Sequence, residues 1–86
     1  MFTGIVTDIG TVTELEQQGD LRARIRTAYD TASIDIGASI ASDGVCLTVI
    51  ALGDDWYDVQ ISAETVSKTN LDTWAVGKRV NLERAL

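Results

Sequence analysis

From Leu21 onward the chain alternates strictly. Leu21, Ala23 and Ile25 fall on one side and Arg22, Arg24 and Arg26 on the other, the two-residue repeat of a half-buried strand running to Thr27. Trp56 to Ile61 repeats the pattern, with Tyr57, Val59 and Ile61 set against Trp56, Asp58 and Gln60. Ahead of these, Phe2 to Leu15 is rich in Thr, Val and Ile and predicts a first strand. Gly4 and Gly10 inside it mark a bulge, a bend or a close backbone approach. Gln17 to Asp20 predicts the hairpin loop that joins this strand to the arginine-bearing one. Tyr29 to Ile36 is weaker and predicts a connection with a short helix or turn. Gly53-Asp54-Asp55 makes a turn into Trp56–Ile61. Ser62 to Lys68 then reads as one or two helical turns, with Ser62 placed to cap the free N–H groups and Asn70-Leu71 ending it. After the Val76-Gly77-Lys78 turn, Arg79 to Arg84 predicts a final strand. Five or six short strands and one short helix predict an all-β fold, an antiparallel barrel.

The stretch Gly37 to Ile50, GASIASDGVCLTVI, organises the rest. Small residues lead into it, and Ser42, Asp43 and Gly44 make a polar turn. The apolar run that follows carries two polar outliers, Cys46 and Thr48. In an extended strand those two share one face, and Val45, Leu47 and Val49 share the other. Two polar side chains next to each other suit a ring-shaped ligand that needs a few hydrogen bonds. They equally suit an ordinary core, where cysteine packs as a small hydrophobe and threonine bonds to backbone. On spacing alone the ordinary core is the favoured reading, because alternation with an occasional polar residue is common in strands. The arginine stripe also has two readings: it could hold a phosphate, or form a solvated strand face paired to Glu14 and Glu16, which the acidic balance favours.

Composition narrows the classes. At 86 residues with 45% apolar, the chain predicts one small domain, close to the size at which a single core is marginal. A net charge of −6 argues against nucleic acid and against anionic membrane surfaces, both of which need basic patches. A single cysteine cannot close an internal disulfide, which fits a reducing, cytoplasmic setting. No apolar run reaches the length of a transmembrane helix, and Met1 leads straight into Phe2-Thr3-Gly4 without a charged signal-type region. Histidine is absent, which removes Ser-His-Asp and Cys-His pairs and most zinc sites, so no metal is expected.

Four blocks carry a family resemblance: Met1-Phe2-Thr3-Gly4-Ile5-Val6; Gly44-Val45-Cys46-Leu47-Thr48-Val49; Glu64-Thr65 with Thr69-Asn70-Leu71; and Gly77, Val80-Asn81 and Glu83-Arg84. In order and separation they resemble the N-terminal half of riboflavin synthases along essentially the whole chain. The resemblance implies one six-stranded Greek-key barrel, residues 1–86, from a family that carries two such barrels in tandem and a C-terminal helix that holds a homotrimer. It implies a reaction in which two molecules of 6,7-dimethyl-8-ribityllumazine give riboflavin and a ribitylamino-pyrimidine without metal or organic cofactor. One substrate loses a proton from its 7-methyl group, and the other takes a nucleophile and donates a four-carbon unit. Holding the two face to face turns a bimolecular step into an effectively unimolecular one.

Carried onto these residues, the resemblance implies a site at Gly4, Ile5 and Val6, at Cys46, Leu47 and Thr48, and at Gln60, Ile61, Ser62, Ala63, Glu64 and Thr65. Backbone groups of the opening segment and of Ser62-Ala63 would pair with the pteridine edge. Thr48 and Thr65 would take up ring or ribityl oxygens, and Glu64 ribityl hydroxyls. Ser39 matches a serine near the reacting centre, and Cys46 a candidate nucleophile or proton-transfer group. The second barrel, with its histidine-bearing motif, and the trimerising helix have no counterpart in this sequence, so half of each composite site is missing and binding follows more readily than turnover. A homodimer is expected for the barrel alone. A non-catalytic lumazine- or flavin-binding protein of the fluorescent antenna type, and a barrel serving only protein interaction, are the competing readings.

Overall fold

Strand β1 (Asp8–Gln18) turns at Gly19 into β2 (Asp20–Arg26), with Gln17 opposite Leu21 and Gln18 opposite Asp20. The computed structural model, which describes residues 4–69 and 73–85, continues through a 3-10 turn at Thr31–Ser33. Strands β3 (Ser39–Ser42), β4 (Val45–Leu52) and β5 (Trp56–Ile61) follow as consecutive hairpins, then helix α1 (Ala63–Lys68) and β6 (Arg79–Arg84). The strands close in the order β1-β2-β5-β4-β3-β6. Three hairpin-linked strands, with β6 returning beside β3, make the Greek key that the resemblance implied.

Local chemistry explains the turns. Asp43 and Gly44 both have positive φ (49° and 85°), the backbone twist that a two-residue hairpin between β3 and β4 requires. Asp43 also ties this hairpin to β6: its N–H donates to the Asn81 carbonyl at 2.8 Å, and its carboxylate accepts from the Asn81 N–H at 2.9 Å. Gly10 is the close approach expected inside the first strand. A Cβ there would stand 2.8 Å from the Arg26 carbonyl and 2.7 Å from Ile25, so only glycine lets β1 cross β2 and β6 at that point. The strand itself starts later than predicted, at Asp8 rather than Phe2, and runs on to Gln18. Residues 5–7 lie outside the ladder, and the bulge falls between Val12 and Glu14 rather than at a glycine. Residues 1–3 and 70–72, which include the predicted Asn70-Leu71 helix end, lie outside the described residues.

The inward positions fill the barrel. Val12, Ala23, Ile25, Ile40, Leu47, Val49, Tyr57, Val59, Val80 and Leu82 are all buried and form one core. A six-stranded barrel is narrow enough for side chains to occupy its whole interior, so a ligand has to be held from outside. Among the described residues the buried hydroxyls of Tyr57 and Ser42 have no hydrogen-bond partner of ordinary geometry, and burial, only partly offset by the Ser42 hydroxyl, pushes the Tyr57 phenol above its ordinary value. Among the described residues, no helix is long and apolar enough to cross a membrane.

Candidate functional site

The β3–β4 hairpin puts the sequence-predicted residues together. Ser39 stands opposite Thr48 and Ala41 opposite Cys46, and directly opposed residues project from the same face of the sheet. Cys46 and Thr48 are exposed while Leu47 and Val49 point into the core. That overturns the core reading favoured by spacing alone: the two polar residues belong to the outer wall, because closure of the barrel turns Leu47 and Val49 inward. One strand over, Ala41 pairs with Glu83 of β6, so the row Cys46, Ala41, Glu83 crosses three strands, with Ser39 and Thr48 one step along.

Two further segments approach this wall. Gly4, Ile5 and Val6 are exposed, and their chain joins β6 through the Thr7 N–H, which donates to the Leu82 carbonyl at 2.9 Å. The Gly4 N–H donates to Glu83 Oε1 at 3.0 Å. On the other side, the β4–β5 ladder includes the buried pair Val49–Val59, so the neighbouring residues Thr48 and Gln60 both face outward. Gln60 is exposed, and its side-chain amide donates to Asp20 at 3.1 Å.

The helix begins as predicted. The Ser62 hydroxyl accepts from the Thr65 N–H at 3.2 Å and donates to the Thr65 hydroxyl at 2.9 Å, the ordinary N-cap bond with one addition. Ala63 and Glu64 are exposed, and the Glu64 carboxylate pairs with Lys68 at 2.7 Å. These groups are engaged at the start of their own helix. Leu47 and Ile61 have side chains in the core, so a ligand on the outer wall can meet only their backbone.

A separate polar face lies on β1, β2 and β5. Asp58 alternates outward yet keeps only 2% of its side chain exposed, because Arg22 reaches its Oδ2 at 2.7 Å and Arg24 its Oδ1 at 2.9 Å. Arg24 also pairs with Glu14 at 2.7 Å and lies 3.6 Å above the Trp56 ring. Burial alone would raise the Asp58 carboxyl, but the hydrogen bonds from Arg24 and Arg22 and their charges outweigh it and hold it below the ordinary carboxylate range. A groove of about 450 Å³ is lined by Glu14, Leu15, Glu16, Arg22, Arg24 and Asp58, and one of about 220 Å³ by Glu16, Asp20, Arg22 and Gln60. Both lie away from Cys46. In each groove the carboxylates outnumber the arginines, so neither offers net positive charge to a phosphate. The Glu14 pairing was legible in the sequence. Asp58 was missed, since its position opposite Arg24 follows from a strand pairing between β2 and β5 that no local pattern reveals. Among the described residues no cluster of carboxylates or thiols is arranged to hold a metal ion.

A narrow closed antiparallel barrel, its interior filled by its own side chains and a polar row on its outer wall, defines the class. The chain belongs to the lumazine binding domain family, whose model matches residues 3–85. It is similar to the riboflavin synthase of Brucella abortus, 45% identical over 92 residues that take in 100% of this chain and 46% of that protein. It is 47% identical over 87 residues to the riboflavin synthase of Mycobacterium tuberculosis, covering 99% of this chain and 43% of the relative. For the Bacillus subtilis riboflavin synthase the identity is 37% over 87 residues, with 100% and 40% covered. The chain is thus homologous to the N-terminal part of riboflavin synthase, an enzyme, and spans less than half the length of these relatives.

Proposed function

We propose that this chain is the N-terminal substrate-binding barrel of a cytoplasmic riboflavin synthase, and that it holds 6,7-dimethyl-8-ribityllumazine or riboflavin on its outer wall. The observation that carries this reading is the outward row formed by Ser39, Cys46 and Thr48 on a barrel whose interior has no room for a ligand. Thr48 offers a hydroxyl to a ring oxygen, the opening segment Gly4–Val6 and the Ser62-Ala63 turn offer backbone groups, and Gln60, Glu64 and Thr65 face the ribityl chain. Cys46 and Ser39 stand nearest the reacting centre. The reaction takes two lumazines to riboflavin and 5-amino-6-ribitylamino-pyrimidinedione, with no metal or organic cofactor. A second barrel supplies the other half of each composite site, within a homotrimer of the full-length protein. An antenna-type binder is not favoured, since the relatives described above are synthases. The test is a fluorescence titration of riboflavin with the purified chain. Saturable quenching or a spectral shift at one ligand per barrel is expected, and a spectrum that stays that of free riboflavin at excess protein contradicts the reading.

A further inference from the structure

The outer-wall row ends in a residue with no assigned task. Glu83 projects outward from β6, in line with Ala41 and Cys46, yet it is only 8% exposed. A carboxylate on the outside of a small barrel is ordinarily solvated. One of its bonds is to the Gly4 N–H, 3.0 Å from Oε1 and 79 residues away in the chain. Gly4 opens a segment that stands outside the β1–β6 ladder, whose pairs begin at Asp8 with Leu82. Ile5 and Val6 within it are exposed, so burial of apolar surface does little to hold it down. Among the bonds that tie the segment to β6 are one from the Thr7 N–H to the Leu82 carbonyl and one from the Gly4 N–H to Glu83.

We infer that Glu83 is a positioning residue: its carboxylate clasps the Gly4 N–H and thereby sets the Gly4–Val6 segment as one wall of the ligand site over β3, β4 and β6. This rests on the proposed ligand reading, which makes that segment part of the site. A hydrogen bond to a backbone N–H forms only with an acceptor oxygen within about 3.2 Å, so the reach of the side chain decides whether the clasp closes, and the charge adds to its strength.

The variants separate these two properties. Glu83→Gln keeps an acceptor oxygen at the same distance and loses the charge. Glu83→Asp keeps the charge and, one methylene shorter, no longer reaches Gly4. Glu83→Ala loses both. Two readouts are made on the full chain: amide hydrogen exchange at Gly4 to Thr7, and riboflavin affinity by fluorescence. Expected are near-parental exchange and affinity within about twofold for Gln, against at least tenfold faster exchange at Gly4–Thr7 and affinity about tenfold weaker for Asp and Ala. Parental exchange and affinity in Asp, or a Gln variant as impaired as Asp, overturns the clasp. Should Ala fail to fold, the contrast between Asp and Gln decides alone. If the parent does not bind riboflavin, the ligand reading fails while the exchange data still uphold or overturn the clasp.

Discussion

Thr48 and Cys46 stand two residues apart on the outside of β4, but a ligand can gain different things from them. The threonine hydroxyl donates and accepts well, whereas a thiol is a weak partner whose main asset is its small size. Thr48→Val keeps the shape and removes the polar atom, so a buried ligand oxygen loses its partner at a cost of roughly 1–3 kcal/mol. Riboflavin affinity should fall accordingly, read by fluorescence titration, while Cys46→Ser binds within a few-fold of the parent. Equal affinities for the parent and Thr48→Val would remove Thr48 from the site. At this scale the sequence was informative up to a definite limit. Period-two alternation showed that Cys46 and Thr48 share a face, but two small polar residues are compatible with either side of a barrel wall. Closure of the barrel, with Leu47 and Val49 inside, decides which side they take. Glu83 was legible only as part of a family block. Its partner Gly4 lies at the opposite end of the chain, and no local pattern links them.

Among the elements, β2 and β5 carry the clearest electrostatic consequence. Their register sets Asp58 opposite Arg24 and beside Arg22, and both arginines fold over the carboxylate. Because the folded state holds the Asp58 carboxyl below its ordinary range, this cluster contributes stability that is fully present above the unfolded value, about 3.9. That stability is lost as pH falls through the lower folded-state value. Asp58→Asn should cost about 2–3 kcal/mol at neutral pH. This is less than the roughly 3–5 kcal/mol of a fully buried pair, because the arginines, 49% and 32% exposed, can turn to water. Urea unfolding from pH 7 to pH 2 should show the gap between parent and variant closing below about pH 4. A gap independent of pH would contradict the ion-pair account. Of the elements themselves, β2, β5, the capped helix and β6 follow directly from alternation and the Ser62 cap. The early predicted start of β1 has a sequence cause: Thr-, Val- and Ile-rich sequence favours a strand, but Gly4 holds a positive φ of 83° and the ladder with β6 begins at Asp8.

For the whole molecule, the proposed recognition row lies outside a filled barrel, and under that proposal the second half of the reaction comes from another barrel. Ile9, Ile36 and Val76 are large apolar side chains left exposed, and exposed apolar surface favours association, most often two-fold when the chains are identical. The purified chain should therefore sediment as a homodimer at tens of micromolar. It should turn lumazine over very slowly or not at all, because two identical sites give no distinction between the substrate that is deprotonated and the one that is attacked. A monomer under those conditions would contradict the assembly, and turnover at the rate of a full-length synthase would contradict the need for unlike sites. The central claim is that the ligand lies on the outer wall of β3 and β4, and an amide chemical-shift map of the chain titrated with riboflavin tests it most directly. The account predicts the largest shifts at Gly4–Val6, Ser39, Cys46–Thr48 and Gln60–Thr65. Shifts concentrated instead in the groove of Glu14, Arg22, Arg24 and Asp58 would contradict it.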